Sequence, residues 1–248
     1  LEVAEEIASV AEEKQLPAIM MIGQNTFKYN KLEKIASICR QIANSTNAQL
    51  VLHLDHGASY EQVIQCLRNG FTSVMIDGSR LPLEENIRVT KEVIRAAHTV
   101  GVSVEAELGA IGGTEDGMTA KANLVNVDDA RCFLEEVTVE ALAIGIGNAH
   151  GIYKSTPNLA FDRLEQVAAL GGPALVLHGG SGIPDDMIRK AIVMGIRKIN
   201  VATEVRLAFL EGFGLEVNSK DIYKAYQSAQ AHARKIISDK MSLFDTTK

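Results

Sequence analysis

The sequence predicts an α/β fold, a (β/α)8 TIM barrel in one domain over residues 1–248, with its first strand missing from the chain and an extra helix towards the C-terminus. Three observations lead there. Seven short apolar runs alternate with amphipathic stretches, the runs begin 23 to 39 residues apart as βα units do, and the chain opens on a helical pattern with no strand before it. Deleting the first strand from a real barrel would expose two sheet edges, so the native protein is expected to carry a further N-terminal segment. An open doubly wound sheet is the competing architecture.

In order, EVAEEIASVAEEK (2–14) reads as the opening helix, and PAIMMIG (17–23) and QLVLHLD (49–55) as the first two strands. Ser59 caps the next helix ahead of EQVIQCL. TSVMID (72–77) and VSVEAEL (102–108) follow as strands. The segment GAIGGTEDGMTAKAN (109–123) has little apolar periodicity and reads as a mobile loop, a lid able to carry Glu115 or Asp116 into a site on closure. ALAIGIG (141–147), ALVLHG (174–179) and RKINVA (197–202) complete the strands, and Pro184 opens a helix bearing Met187, Ile188 and Ile192. A final helix is expected at about 219–241. Continuous Val, Ile, Leu and Ala content marks strands covered on both faces, hence a parallel sheet.

Composition narrows function. With 46% hydrophobic and 23% charged residues the chain can bury a full core, and its net charge of −6 supplies no basic field for nucleic acid or an anionic membrane. No apolar run approaches a membrane span, and the opening residues lack the basic and apolar sections of a signal peptide. Cys39, Cys66 and Cys132 show no disulfide or metal spacing, so a cytoplasmic location is expected.

Reactive groups in parallel α/β folds gather where strands end. Four of the six histidines, His53, His56, His150 and His178, fall there, while His98 and His232 lie in helical stretches. Three neutral imidazoles from separate strands with an open position make the catalytic form of a Zn²⁺ site, and His56, His150 and His178 are chosen. His53 is set aside because His56 is nearer the strand end. Asp77, Glu105 and Glu107 are further strand-end carboxylates, open to a second metal position. HGGSG (178–182) and NVATE (200–204), the latter with Thr203 as an N-cap, offer backbone N–H groups for a phosphate at the usual cradle of such barrels, and Gly151 adds to it. A Lewis acid beside a phosphate cradle, with Asp55 next to a ligand, suits carbanion chemistry adjacent to the carbonyl of a phosphorylated sugar. A Schiff-base route needs a lysine in the cavity, and Lys198 is read as lying at the start of its strand, on the wrong face.

HLDHG (53–57), IDGS (76–79), VEAELGAIGGTEDG (104–117), IGNAHGIY (146–153), LVLHGGSGIP (175–184) and KINVATE (198–204) together resemble the class II, zinc-dependent fructose-bisphosphate and tagatose-bisphosphate aldolases. The resemblance implies His56, His150 and His178 as zinc ligands, Asp55 as the proton carrier at the C4 hydroxyl, and Asp77 and Glu107 as an alternative metal position. It implies Glu115 as the group exchanging the proton of bound dihydroxyacetone phosphate. Gly151, Gly179, Gly180, Ser181, Asn200, Val201, Ala202 and Thr203 would hold that triose, with a monovalent cation, Na⁺ or K⁺, near its phosphate. A phosphorylated ketose substrate and a homodimer or homotetramer complete the expectation. The chain departs from the family at both ends: the first strand with its asparagine-bearing turn is not visible, and SLFDTTK stands where an arginine for the distal phosphate is common. The rival readings are a barrel metallohydrolase, which would use a first-strand H-x-H pair, and a non-catalytic sugar-phosphate sensor, against which Asp55 and Glu115 argue.

Overall fold

A computed structural model describes residues 1–115, 118–120 and 123–246 of the protein. All seven expected strands form, as β1 (Ala18–Ile22), β2 (Leu50–Gly57), β3 (Ser73–Ile76), β4 (Ser103–Leu108), β7 (Ala141–Ile144), β9 (Ala174–Leu177) and β10 (Ile196–Ile199). They make one parallel sheet in the order β1-β2-β3-β4-β7-β9-β10. The expected mobile loop instead holds β5 (Gly112–Glu115) and β6 (Met118–Ala120), an antiparallel pair, and β5 also runs parallel to β8 (Ala149–His150). Its glycines hid this: Gly113 sits at φ 90, and a Cβ there would stand 2.2 Å from the His150 carbonyl oxygen, so only glycine lets the two strands meet.

The helices are α1 (Glu2–Lys14), α2 (Gln24–Tyr29), α3 (Leu32–Asn44), α4 (Tyr60–Arg68), α5 (Leu83–Thr99), α6 (Val127–Glu136), α7 (Phe161–Ala168), α8 (Asp185–Val193), α9 (Thr203–Glu216) and α10 (Ile222–Phe244). Ser59 caps α4 by accepting from the Gln62 N–H, as expected. Thr203 does not cap α9: Ala202 occupies that position without a side-chain bond, and the Ser181 hydroxyl accepts from the Glu204 N–H instead. Ala225, Ala229, Ala233 and Ile237 recur at helical period along the buried stripe of α10, and Arg234 ties α10 to Glu6, Ser9 and Glu13 of α1. Among the described residues no helix is long and apolar enough to cross a membrane.

The sheet is curled. β10 and β2 stand five places apart in the strand order, about 24 Å if the sheet were flat, yet Asn200, which follows β10, donates to Asp55 of β2 at 3.1 Å. Lys198 of β10 likewise reaches Glu105 of β4 at 2.9 Å. Among the described residues β1 and β10 do not pair with each other, so the observed form is a curled seven-stranded sheet.

The two faces of the sheet divide the chemistry. Leu52, Leu54, Val74, Val104, Ala106, Leu142 and Leu177 belong to the large core shared with the helices. Their alternates point inward, where Met75, Ala143 and Val176 form a small separate cluster beside His53, Asp55, Glu105, Glu107 and His178.

Lys198 is also inward and is the third of the four residues of β10, not the start of a strand, which corrects the sequence reading. Strict alternation would place it with Ile196 on the helix side, but the β10 register shifts between Ile196 and Lys198, and the bulge turns the lysine into the interior. There its ammonium is paired with Glu105 and donates to Asn200 Oδ1 at 2.7 Å. Held by these two partners, its nitrogen is not free to approach a carbonyl carbon, so the case against a Schiff base stands on a different ground.

Candidate functional site

A second bulge supplies the first imidazole. Alternation along β2 would send His56 outward with Leu54, but the register against β3 shifts between Leu54 and Gly57, and His56 takes φ 48. A left-handed conformation costs a non-glycine residue roughly 1–2 kcal/mol, and it persists where surrounding contacts fix it. Here it brings the ring to 4.7 Å, centroid to centroid, from that of His178. Gly57 makes room for the bulge, since a Cβ there would lie 2.2 Å from the Met75 carbonyl oxygen.

Carboxylates set the tautomers. His56 Nδ1 lies 2.8 Å from Asp77 Oδ2, and His178 Nε2 lies 2.8 Å from Glu105 Oε1. An ionised carboxylate only accepts, so each of these nitrogens carries the hydrogen, and in the neutral ring the other nitrogen carries the lone pair. Burial lowers the His178 pKa, against the opposing pull of Glu105, and so favours the neutral ring. The lone-pair nitrogens, His56 Nε2 and His178 Nδ1, then face each other at 3.0 Å. Two lone pairs at that distance repel unless a cation sits between them. The His150 ring stands 5.0 Å from that of His56 and 5.8 Å from that of His178, and ligand atoms of all three lie within 4.8 Å of one another. This donor set fits a metal of imidazole preference.

The class II fructose-bisphosphate aldolase family model matches residues 1–248. The chain belongs to that family. A fructose-bisphosphate aldolase of Streptococcus pyogenes is 41% identical over 253 residues, covering 100% of this chain and 82% of its own. One from Streptococcus pneumoniae is 40% identical over 255 residues, with 100% and 82% covered. The crystal structure of the YdjI aldolase from Escherichia coli superposes with a TM-score of 0.89 at 29% identity, over 99% of this chain and 88% of that one. The protein is thus a metal-dependent aldehyde-lyase acting on a phosphorylated sugar.

Around the aldolase's three imidazoles the remaining polar groups fall into two sets. His56, Asp77 and Glu107 form a second cluster with metal-ligating spacing. Burial opposes ionisation of Asp77, but its hydrogen bond to His56 and bonds from Ser79 hold its carboxyl well below the usual range. Burial, with the neighbouring Asp77 charge, pushes Glu107 up to about 8, and its Oε2 has no hydrogen-bond partner among the described residues. His53, set aside on sequence grounds, is fully buried with Nδ1 2.8 Å from the Ser73 hydroxyl, apart from the triad.

The two glycine-rich loops meet, and Gly180 joins them. Its N–H donates to the Asn200 carbonyl at 2.8 Å, binding the HGGSG and NVATE turns together, and a Cβ would lie 2.7 Å from Ile199 Cγ2. Gly179 and Gly151 take φ 63 and φ 92. Two residues that sequence reasoning passed over brace these turns. Buried Asn148 accepts from the Ile146 N–H and donates to the His178 carbonyl, while the Tyr153 hydroxyl accepts from the Ala149 N–H and donates to the Gly179 carbonyl. Both lie inside the IGNAHGIY motif, but nothing in its spacing distinguishes a brace from a ligand. Glu115 ends β5, adjacent to the strand that carries His150; its side chain and Asp116 lie outside the described residues.

Proposed function

We propose that this aldolase holds one zinc ion on His56, His150 and His178 and reversibly cleaves a ketose of the fructose- or tagatose-1,6-bisphosphate type. The products are dihydroxyacetone phosphate and an aldehyde such as glyceraldehyde 3-phosphate. The observation that carries the reading is the pair of facing lone-pair nitrogens 3.0 Å apart, close to the separation of about 3.4 Å between ligands of a tetrahedral ion with bonds of about 2.1 Å. Bound there, the ion supplies Lewis-acid polarisation of the ketose carbonyl. Asp55, held by the Asn200 amide at 3.1 Å, accepts the C4 hydroxyl proton as the C3–C4 bond breaks. The bonding pair passes to the triose half, and Glu115 returns a proton to its C3. Gly151, Gly179, Ser181 and the Asn200, Val201, Ala202 and Thr203 turn hold the triose phosphate, with Gly180 shaping the cradle. A monovalent cation sits near that phosphate, and Asp77 and Glu107 serve His56 as an alternative metal position. The curled sheet is taken as part of a (β/α)8 barrel in one domain, assembled as a homodimer or homotetramer.

Screening fructose 1,6-bisphosphate, tagatose 1,6-bisphosphate and other ketose phosphates by coupled detection of triose phosphate tests the substrate class. Release from at least one bisphosphate is expected; release from none by the zinc-loaded protein would overturn the reading.

The cradle gives a further expected result. Gly180→Val forces a branched side chain against Ile199 and the Asn200 carbonyl, costing about 1–3 kcal/mol, whereas Ser181→Ala loses the one bond to Glu204, about 0.5–1.5 kcal/mol. Titration with dihydroxyacetone phosphate should find affinity lowered more by Gly180→Val, with zinc retained in both. Unchanged affinity in Gly180→Val would move the phosphate elsewhere.

A further inference from the structure

We propose that Lys198 is a positioning residue that aims two working groups at once, Asp55 through Asn200 and His178 through Glu105. The inference rests on the roles proposed above for Asp55 and the imidazole triad. The lysine side chain is 11% exposed, inside the curl of the sheet, and its ammonium has two defined partners, Asn200 Oδ1 at 2.7 Å and Glu105 Oε2 at 2.9 Å. An ammonium only donates, so Asn200 must show it the amide oxygen. The NH₂ group is thereby turned towards Asp55 Oδ1, 3.1 Å away. The flipped amide would set NH₂ against an ammonium and oxygen against a carboxylate, two repulsive contacts with charged groups that outweigh the one bond its oxygen could accept from His178 Nε2–H at 3.2 Å, so Lys198 determines which end of Asn200 meets Asp55.

The same ammonium fixes Glu105. Held through Oε2, that carboxylate presents Oε1 to His178 Nε2 at 2.8 Å and leaves the lone pair of His178 on the nitrogen that faces His56. Such outer partners orient a ligand without touching the metal. One cation thus links the proton carrier and the ligand geometry, across strands β10, β4 and β2.

The two branches separate experimentally. Lys198→Met removes both. Its cleavage kcat should fall about 100-fold with KM changed less than about 3-fold, and metal retention against a chelator should fall about 10-fold or more. In Lys198→Met/Glu105→Gln the buried charges cancel again and the new amide oxygen can accept from His178 Nε2–H, while Asn200 stays without its anchor. Metal retention and proton exchange of dihydroxyacetone phosphate should then recover at least about 10-fold over Lys198→Met, with cleavage still depressed about 100-fold. A residue needed only for folding would move exchange and cleavage together. Wild-type cleavage by Lys198→Met, or parallel recovery of cleavage and exchange in the double variant, would overturn the proposal; so would equal loss of both in a folded, metal-loaded double variant. If Lys198→Met does not fold, the double variant carries the test. Asp55→Ala, measured alongside, tells the two failures apart: cleavage by Asp55→Ala sinks the proton-carrier reading, whereas an inactive Asp55→Ala beside a fully active Lys198→Met sinks only this one.

Discussion

His178→Ala is expected to lose most of its bound metal and, with it, cleavage activity by a factor of about 10³ or more, because two imidazoles do not complete the site. The effect should exceed that of any loop substitution, since His178 is fully buried and its ring is clamped between Glu105 and His56. Elemental analysis of the purified variant gives the metal content, and circular dichroism checks that the fold survives. Full metal content with a wild-type rate would remove His178 from the centre.

The second large effect separates the proton carriers by task. Asp55→Ala should lower carbon–carbon cleavage by about 10²- to 10⁴-fold yet leave exchange of the dihydroxyacetone phosphate proton intact, because the C4 hydroxyl is absent from that half-reaction. Glu115→Ala should impair exchange itself. Solvent deuterium incorporation into dihydroxyacetone phosphate, read beside the cleavage rate, checks both. Equal loss of both activities in each variant, with metal retained, would show the division of labour to be wrong.

The strands and their chemistry were legible because two periodicities agree: apolar residues such as Leu54, Val104 and Leu177 mark the helix-facing side, and the residues between them, Asp55, Glu105 and His178, mark the inner one. What escaped were the places where the backbone breaks alternation. The β10 bulge turns Lys198 inward, and the β2 bulge with φ 48 at His56 turns a nominally outward residue into the triad. Bulges leave no periodic trace, and a residue's chemical type does not reveal them. His56 is nonetheless legible, because it is nearer the strand end than His53. Lys198 is misplaced because the strand is read over 197–202, which puts it at the start, whereas β10 ends at Ile199. The antiparallel pair of β5 and β6 escapes for a related reason: GGTE and MTA are too short and too poor in apolar residues to carry a hydrophobic period, and the pairing of β5 with β8 depends on the close approach of Gly113 to His150.

Zinc-edge anomalous diffraction from crystals grown with one equivalent of zinc per chain tests the central claim most directly. The expected result is one dominant anomalous peak bonded to His56 Nε2, His178 Nδ1 and a nitrogen of His150. A zinc ion held elsewhere, with no anomalous density among these three rings, would contradict it.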